Sequence, residues 1–99
     1  MTDSTDISEA HAAEHQALLA LLMESASPDD PDAQRIAEWI ATSAMKPGHL
    51  WQGMGLSSRA EVREILEAHF AELAAGNTKD MRWKKYFYKR LCGWNGFHD

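Results

Sequence analysis

The chain has 99 residues, enough for one small domain near the lower size limit at which a hydrophobic core folds without staples. Its 44% hydrophobic share includes four tryptophans and supplies that core, while a single cysteine excludes an intramolecular disulfide and any cysteine-rich metal site held by these residues alone. The net charge of -5 is unevenly spread, with acids at 3, 6, 9, 14, 24, 29, 30 and 32 and no Lys or Arg before Arg35, which argues against general nucleic-acid binding. No apolar run approaches the ~20 residues of a membrane span, and Met1-Thr2-Asp3-Ser4 lacks the basic start of a secretory signal, so a soluble cytoplasmic protein is expected.

The first predicted element is a helix over about 7–25, opened by a capping box of Asp6 and Glu9. Its apolar stripe is strongest at Ala17, Leu18, Leu21 and Leu22. Ser27-Pro28-Asp29-Asp30-Pro31 reads as a turn, in which Asp30 caps a second helix and Pro31 takes its first position, where the missing N–H is harmless. That helix buries Ala33, Ile36, Ala37, Ile40 and Ala44 and ends at Lys46-Pro47-Gly48. Residues 49–56 form an apolar connector with one helical turn at most. Ser58 and Glu61 then make a second capping box for a helix running to Gly76, lined by Val62, Ile65, Leu66, His69, Phe70 and Leu73.

Asn77 or Thr78 caps the last helix, which runs to Gly93. No period-two run supports a strand. The expected fold is all-α, a single four-helix domain over 1–99, bundle-like or orthogonal, with 1–5 and 93–99 expected to be mobile.

The last helix carries the densest chemistry. Residues 80–92, Asp80-Met81-Arg82-Trp83-Lys84-Lys85-Tyr86-Phe87-Tyr88-Lys89-Arg90-Leu91-Cys92, interleave cations with aromatic rings. At 100° per residue, Trp83, Phe87, Tyr88 and Leu91 share one side, and Arg82, Lys85, Lys89 and Arg90 the other. The rings read as core and the cations as a mostly solvated face, with Arg82, Lys84, Lys85, Lys89 and Arg90 as candidate anion- or partner-binding residues. Lys84 falls within the apolar side, so it must snorkel, pair with a carboxylate or meet an anion such as an oxyanion.

His11 and His15, four apart, have the spacing of a two-imidazole metal site but no evident third ligand, and solvent-facing histidines are the plainer reading. His49 and His69 are expected to cap or pack, with a hydrogen bond to a neighbouring helix end. Cys92, at the negative pole of its helix, reads as a packed thiol and not a nucleophile. No catalytic pattern is present, and the chain is not expected to be an enzyme.

Three segments, 49–59 (His49-Leu50-Trp51-Gln52-Gly53-Met54-Gly55-Leu56-Ser57-Ser58-Arg59), 69–77 and 80–92, resemble the NifQ family. Those are nitrogen-fixation proteins implicated in supplying molybdenum for the iron–molybdenum cofactor of nitrogenase. The resemblance implies an accessory role in cofactor assembly, with molybdenum or molybdate as cargo and cofactor-assembly proteins as partners. In that family a C-x4-C-x2-C-x5-C cluster follows the aromatic segment. Here no cysteine follows Cys92, so an iron–sulfur cluster is not implied for this chain. The alternative function is a metal-free helical interaction or regulatory module. Docking of the acidic half of one copy on the basic half of another is a further possibility.

Overall fold

The computed structural model describes the backbone of residues 2–91 and the side chains of residues 12–91. The described residues are all helical, as expected, with no strand: α1 (Thr2–Glu24), α2 (Ala33–Ala44), α3 (Leu50–Gly53), α4 (Arg59–His69), α5 (Ala71–Ala75) and α6 (Trp83–Leu91). The expectations for residues 93–99, and for the Cys92 side chain, lie outside the described residues.

α1 begins at Thr2, so Asp6 lies within the helix and does not cap it. Nothing in 2–6 is a helix breaker, and acids in a first turn favour the positive end of the helix. α1 and α2 pack as an antiparallel pair: eight residues join them, and His15 Nε2 meets Thr42 Oγ1 at 3.1 Å near the far end of α2. Leu18, Leu21 and Leu22 face Ala37, Ile40, Ala41 and Ala44 in one buried cluster. The alanines let the two backbones approach, and each fully buried leucine contributes roughly 1.5–3 kcal/mol relative to exposure.

Asp30 does not cap α2 directly; Asp32 holds that position. The Asp30 carboxylate instead accepts the Asp32 N–H at 3.0 Å, supporting the turn into the helix, and its other oxygen meets His69 Nδ1 at 2.6 Å. His69 thus reaches a neighbouring helix start, as expected. The helix predicted to run unbroken to Gly76 breaks at Phe70 (φ -139°, ψ 57°) into α4 and α5. No glycine or proline marks this break. Phe70 is fully buried there, beside the His69 contact with Asp30, so tertiary packing overrides local propensity.

Ser58 starts α4 in extended backbone, but its side chain caps nothing. Glu61 Oε1 accepts from the Ser57 N–H at 2.6 Å, one residue earlier than a capping box requires. α6 begins at Trp83, later than expected, because Asn77 closes the preceding loop in place of capping a helix. Its side chain accepts the Met81 N–H at 2.8 Å and donates to the Met81 carbonyl at 2.9 Å. No helix among the described residues is long and apolar enough to cross a membrane.

Candidate functional site

The basic-aromatic run divides differently from its helical projection. Trp83, Tyr86 and Phe87 are buried, at i, i+3 and i+4, with ring centroids 5.9–6.1 Å apart. Tyr86 replaces Tyr88 in the core because its hydroxyl finds a buried acceptor, the Leu73 carbonyl, at 2.6 Å. Tyr88 stays at the margin, where burial first and the Glu14 carboxylate second raise its phenol above the ordinary range. Leu91 packs partly against the core, as projected.

Rotation of the apolar stripe moves Lys84 from its centre to its edge. Among the described residues its ammonium has no carboxylate partner; it donates to the main-chain carbonyl of Lys46, just past the end of α2. A cation there also meets the negative end of the α2 dipole. Partial burial lowers the Lys84 pKa.

The α2–α3 corner is built on close backbone approach. Gly48 has φ +91°, and a Cβ on Gly53 would sit 2.7 Å from the Ser43 carbonyl. Lys46 Nζ donates to the Gly53 carbonyl at 3.2 Å, and the Gln52 side chain accepts the His49 N–H at 2.9 Å. These contacts present Trp51 parallel to His49, with centroids 6.3 Å apart and planes 7° from parallel. Leu50 anchors the turn in the core.

Opposite this corner stands the start of α6, held by α4. Asp80 takes a left-handed conformation (φ 54°), which a short polar side chain tolerates best. Arg59 donates to the Met81 and Asp80 carbonyls at 2.8 and 3.3 Å. Arg59 and Arg63 each place a guanidinium nitrogen 3.2 Å from Asp80 Oδ1, and Arg63 also lies over the Trp83 ring, 5.2 Å from its centroid.

Between the corner and α6 lies an open groove of about 870 Å³, lined by Gly48, His49, Leu50, Trp51, Gln52, Arg59, Arg82, Trp83, Lys84 and Lys85. Among the described residues it collects four cations and no carboxylate, in a chain whose net charge is -5. Such a lining attracts anions; Arg82 offers a planar fork for bidentate oxygen pairs, and Lys85 a mobile point charge.

Three of the five basic residues singled out as anion- or partner-binding candidates therefore come together: Arg82, Lys84 and Lys85. Arg90 lies elsewhere, its guanidinium 6.0 Å from the Tyr86 ring centroid, and Lys89 is half-buried and engaged. Arg59, and the part played by His49 and Trp51, were not foreseen. The signal lay in the resemblance, whose segments 49–59 and 80–92 contain every lining residue except Gly48. Of the possible metal pair, His15 contacts Thr42, and the His11 side chain lies outside the described ones.

The chain spans less than half the length of the curated relatives it matches. A NifQ homolog of Sinorhizobium fredii is 44% identical over 84 residues, 85% of this chain and 36% of that protein. The NifQ protein of Azotobacter vinelandii is 40% identical over 91 residues, 92% of this chain and 47% of that protein. That of Rhodobacter capsulatus is 35% identical over 79 residues, 80% and 44% respectively. No solved structure matches. The family model for NifQ matches residues 1–98, and the chain belongs to the NifQ family.

Proposed function

We propose that this chain is a NifQ-like, non-catalytic, cytoplasmic nitrogen-fixation accessory protein that takes part in molybdenum supply for nitrogenase cofactor assembly, with the groove as its contact surface for anionic partners or cargo. The observation that carries this reading is the coincidence of two independent patterns. The segments 49–59 and 80–92, far apart in sequence, carry the family resemblance, and they face each other across one groove that has no carboxylate in its lining among the described residues.

The residues present suit some forms of molybdenum and not others. Molybdate is an oxyanion, and the groove offers Arg82 and Lys85 to its oxygens. A thiolate-held cluster does not fit these 99 residues, which contain one cysteine. The test is elemental analysis of the protein purified from a molybdenum-rich, nitrogen-fixing host, wild type beside Arg82→Glu/Lys85→Glu. About one equivalent of molybdenum in wild type and much less in the variant supports the reading. Equal molybdenum in both removes the groove from it.

A metal-free interaction module is the second reading, favoured by the lining itself, since four cations repel a free metal cation. Under this reading the purified protein retains no molybdenum, yet the double charge reversal still abolishes partner capture.

A further inference from the structure

We infer that the groove between α3 and the start of α6 docks an acidic segment of a protein partner, with its carboxylates on Arg82 and Lys85 and an apolar side chain against Trp51. The inference rests on the reading of the groove as a contact surface and names what occupies it.

The division of labour among the cations points first to the ligand. Arg59 is committed to Asp80 and to two main-chain carbonyls, and Lys84 to the Lys46 carbonyl. Arg82 and Lys85 are exposed and, among the described residues, have no ion-pair partner. Two exposed cations three residues apart, one just before α6 and one in its first turn, suit carboxylates spaced along a peptide.

Size and surface narrow the class. A groove of about 870 Å³ is far larger than one tetrahedral oxyanion and falls in the range that holds drug-sized molecules or several side chains. Oxyanions and nucleotide phosphates are gripped by converging backbone N–H groups. At the α2–α3 corner the N–H groups of His49, Gln52 and Gly53 are already bonded within the turn, to Gln52 Oε1 and the His49 carbonyl, which leaves the first turn of α6 as the groove's open backbone donors. What the corner offers instead is the half-buried Trp51 ring beside parallel His49, a flat apolar floor next to the cations. Cations beside an aromatic floor match an acidic segment with an apolar anchor. The sign of the charge sets partner choice, while the ring supplies area.

The test uses the 99-residue chain, labelled for the indole N–H signals of its tryptophans. The probe is a capped octapeptide of alternating glutamate and leucine; the comparison ligands are a lysine–leucine octapeptide, molybdate and ATP. The acidic peptide should shift the Trp51 signal saturably, and the basic peptide should not. Arg82→Glu/Lys85→Glu should weaken binding by roughly tenfold or more, and 0.5 M salt should do the same. Both side chains are exposed, so an unchanged helical spectrum certifies the fold of that variant. Lys79→Glu, exposed and outside the groove, should leave affinity within about twofold. The inference is overturned if the acidic peptide gives no saturable shift or binds the double variant as well as wild type. Molybdate or ATP displacing the peptide from Trp51 at lower concentration also overturns it. Molybdenum content measured on the same proteins separates the two readings. Peptide failure with molybdenum retained removes only this inference, and peptide binding without molybdenum removes only the cargo.

Discussion

Tyr86 and Gly76 meet in a contact whose energetics can be made to change sign. The Tyr86 hydroxyl donates to the Leu73 carbonyl at 2.6 Å in a site where the ring is 1% exposed. Tyr86→Phe removes that donor, but the carbonyl keeps the Gly76 N–H at 3.2 Å. The loss should therefore lie near the bottom of the range for an unmet buried group, about 1 kcal/mol. For a domain of this size that is a fall in melting temperature of about 4–8 °C. Gly76 itself has φ -70° and ψ -15°, a conformation alanine accepts. By backbone alone Gly76→Ala should stabilise by about 0.4–1 kcal/mol, through a less flexible unfolded chain.

Its new methyl group, however, would land on the Tyr86 hydroxyl, while the next neighbours, Arg90 Nη1 and the Leu73 carbonyl, stand at an ordinary 3.4 Å. The substitution should cost about 1–3 kcal/mol in the wild-type background, from overpacking. In the Tyr86→Phe background the obstructing oxygen is gone, so the same substitution should become neutral or stabilising. Urea unfolding of the four proteins measures the coupling between the two sites. If Gly76→Ala destabilises equally in both backgrounds, the hydroxyl is not what forbids a side chain at Gly76.

Other perturbations probe the remaining supports. The His69 hydrogen bond, with help from the Asp32 N–H, holds the Asp30 carboxyl below its usual range. A depressed carboxyl contributes stability above its unfolded pKa of about 3.9 and loses it as pH falls through the lower folded value. The urea midpoint should thus drop more steeply below about pH 4 in wild type than in Asp30→Asn, and parallel curves would count against the pair. Burial raises the Tyr86 phenol, against the opposing field of Arg90, so its contribution is present below about pH 10 and lost above. Tyr86→Phe should accordingly flatten the alkaline arm. At Asp80, glycine and alanine both lose the arginine contacts, but only alanine is strained at φ 54°, so Asp80→Gly should be the more stable by about 1–2 kcal/mol. Asn77→Ala should cost about 1–3 kcal/mol by removing both bonds to Met81, with amide exchange at Met81 accelerated.

Helical periodicity made most of the core legible: Leu18, Leu21 and Leu22, then Ala33, Ala37, Ile40 and Ala44, then Val62, Leu66, Phe70 and Leu73 are all buried. These are local facts, set by 3.6 residues per turn. What escaped the sequence depends on partners distant along the chain. Tyr86 and Tyr88 are chemically identical, and the choice between them rests on the Leu73 carbonyl, thirteen residues away. The break at Phe70 has no local breaker and coincides with a contact to Asp30, thirty-nine residues distant from His69. The groove has the same character. Its basic half was visible in 82–85, whereas the aromatic wall at His49 and Trp51 enters only when the α2–α3 corner turns back toward α6.

The five cations between Arg82 and Arg90 look like one patch in composition, but the fold assigns them separate work. Lys84 ties α6 to the end of α2, Arg90 lies against Tyr86, and Arg82 and Lys85 remain open to the groove. Their direction is set from outside the run, because Arg59 and Arg63 of α4 grip Asp80 and Met81 where α6 begins. The groove should therefore be sensitive to α4. Arg63→Met contributes no lining atom, yet it removes a contact to Asp80 and the cation above Trp83. If the grip orients the site, this substitution weakens acidic-peptide binding with little loss of helix content. A variant of unchanged affinity would show that Asn77 and Arg59 suffice to aim α6.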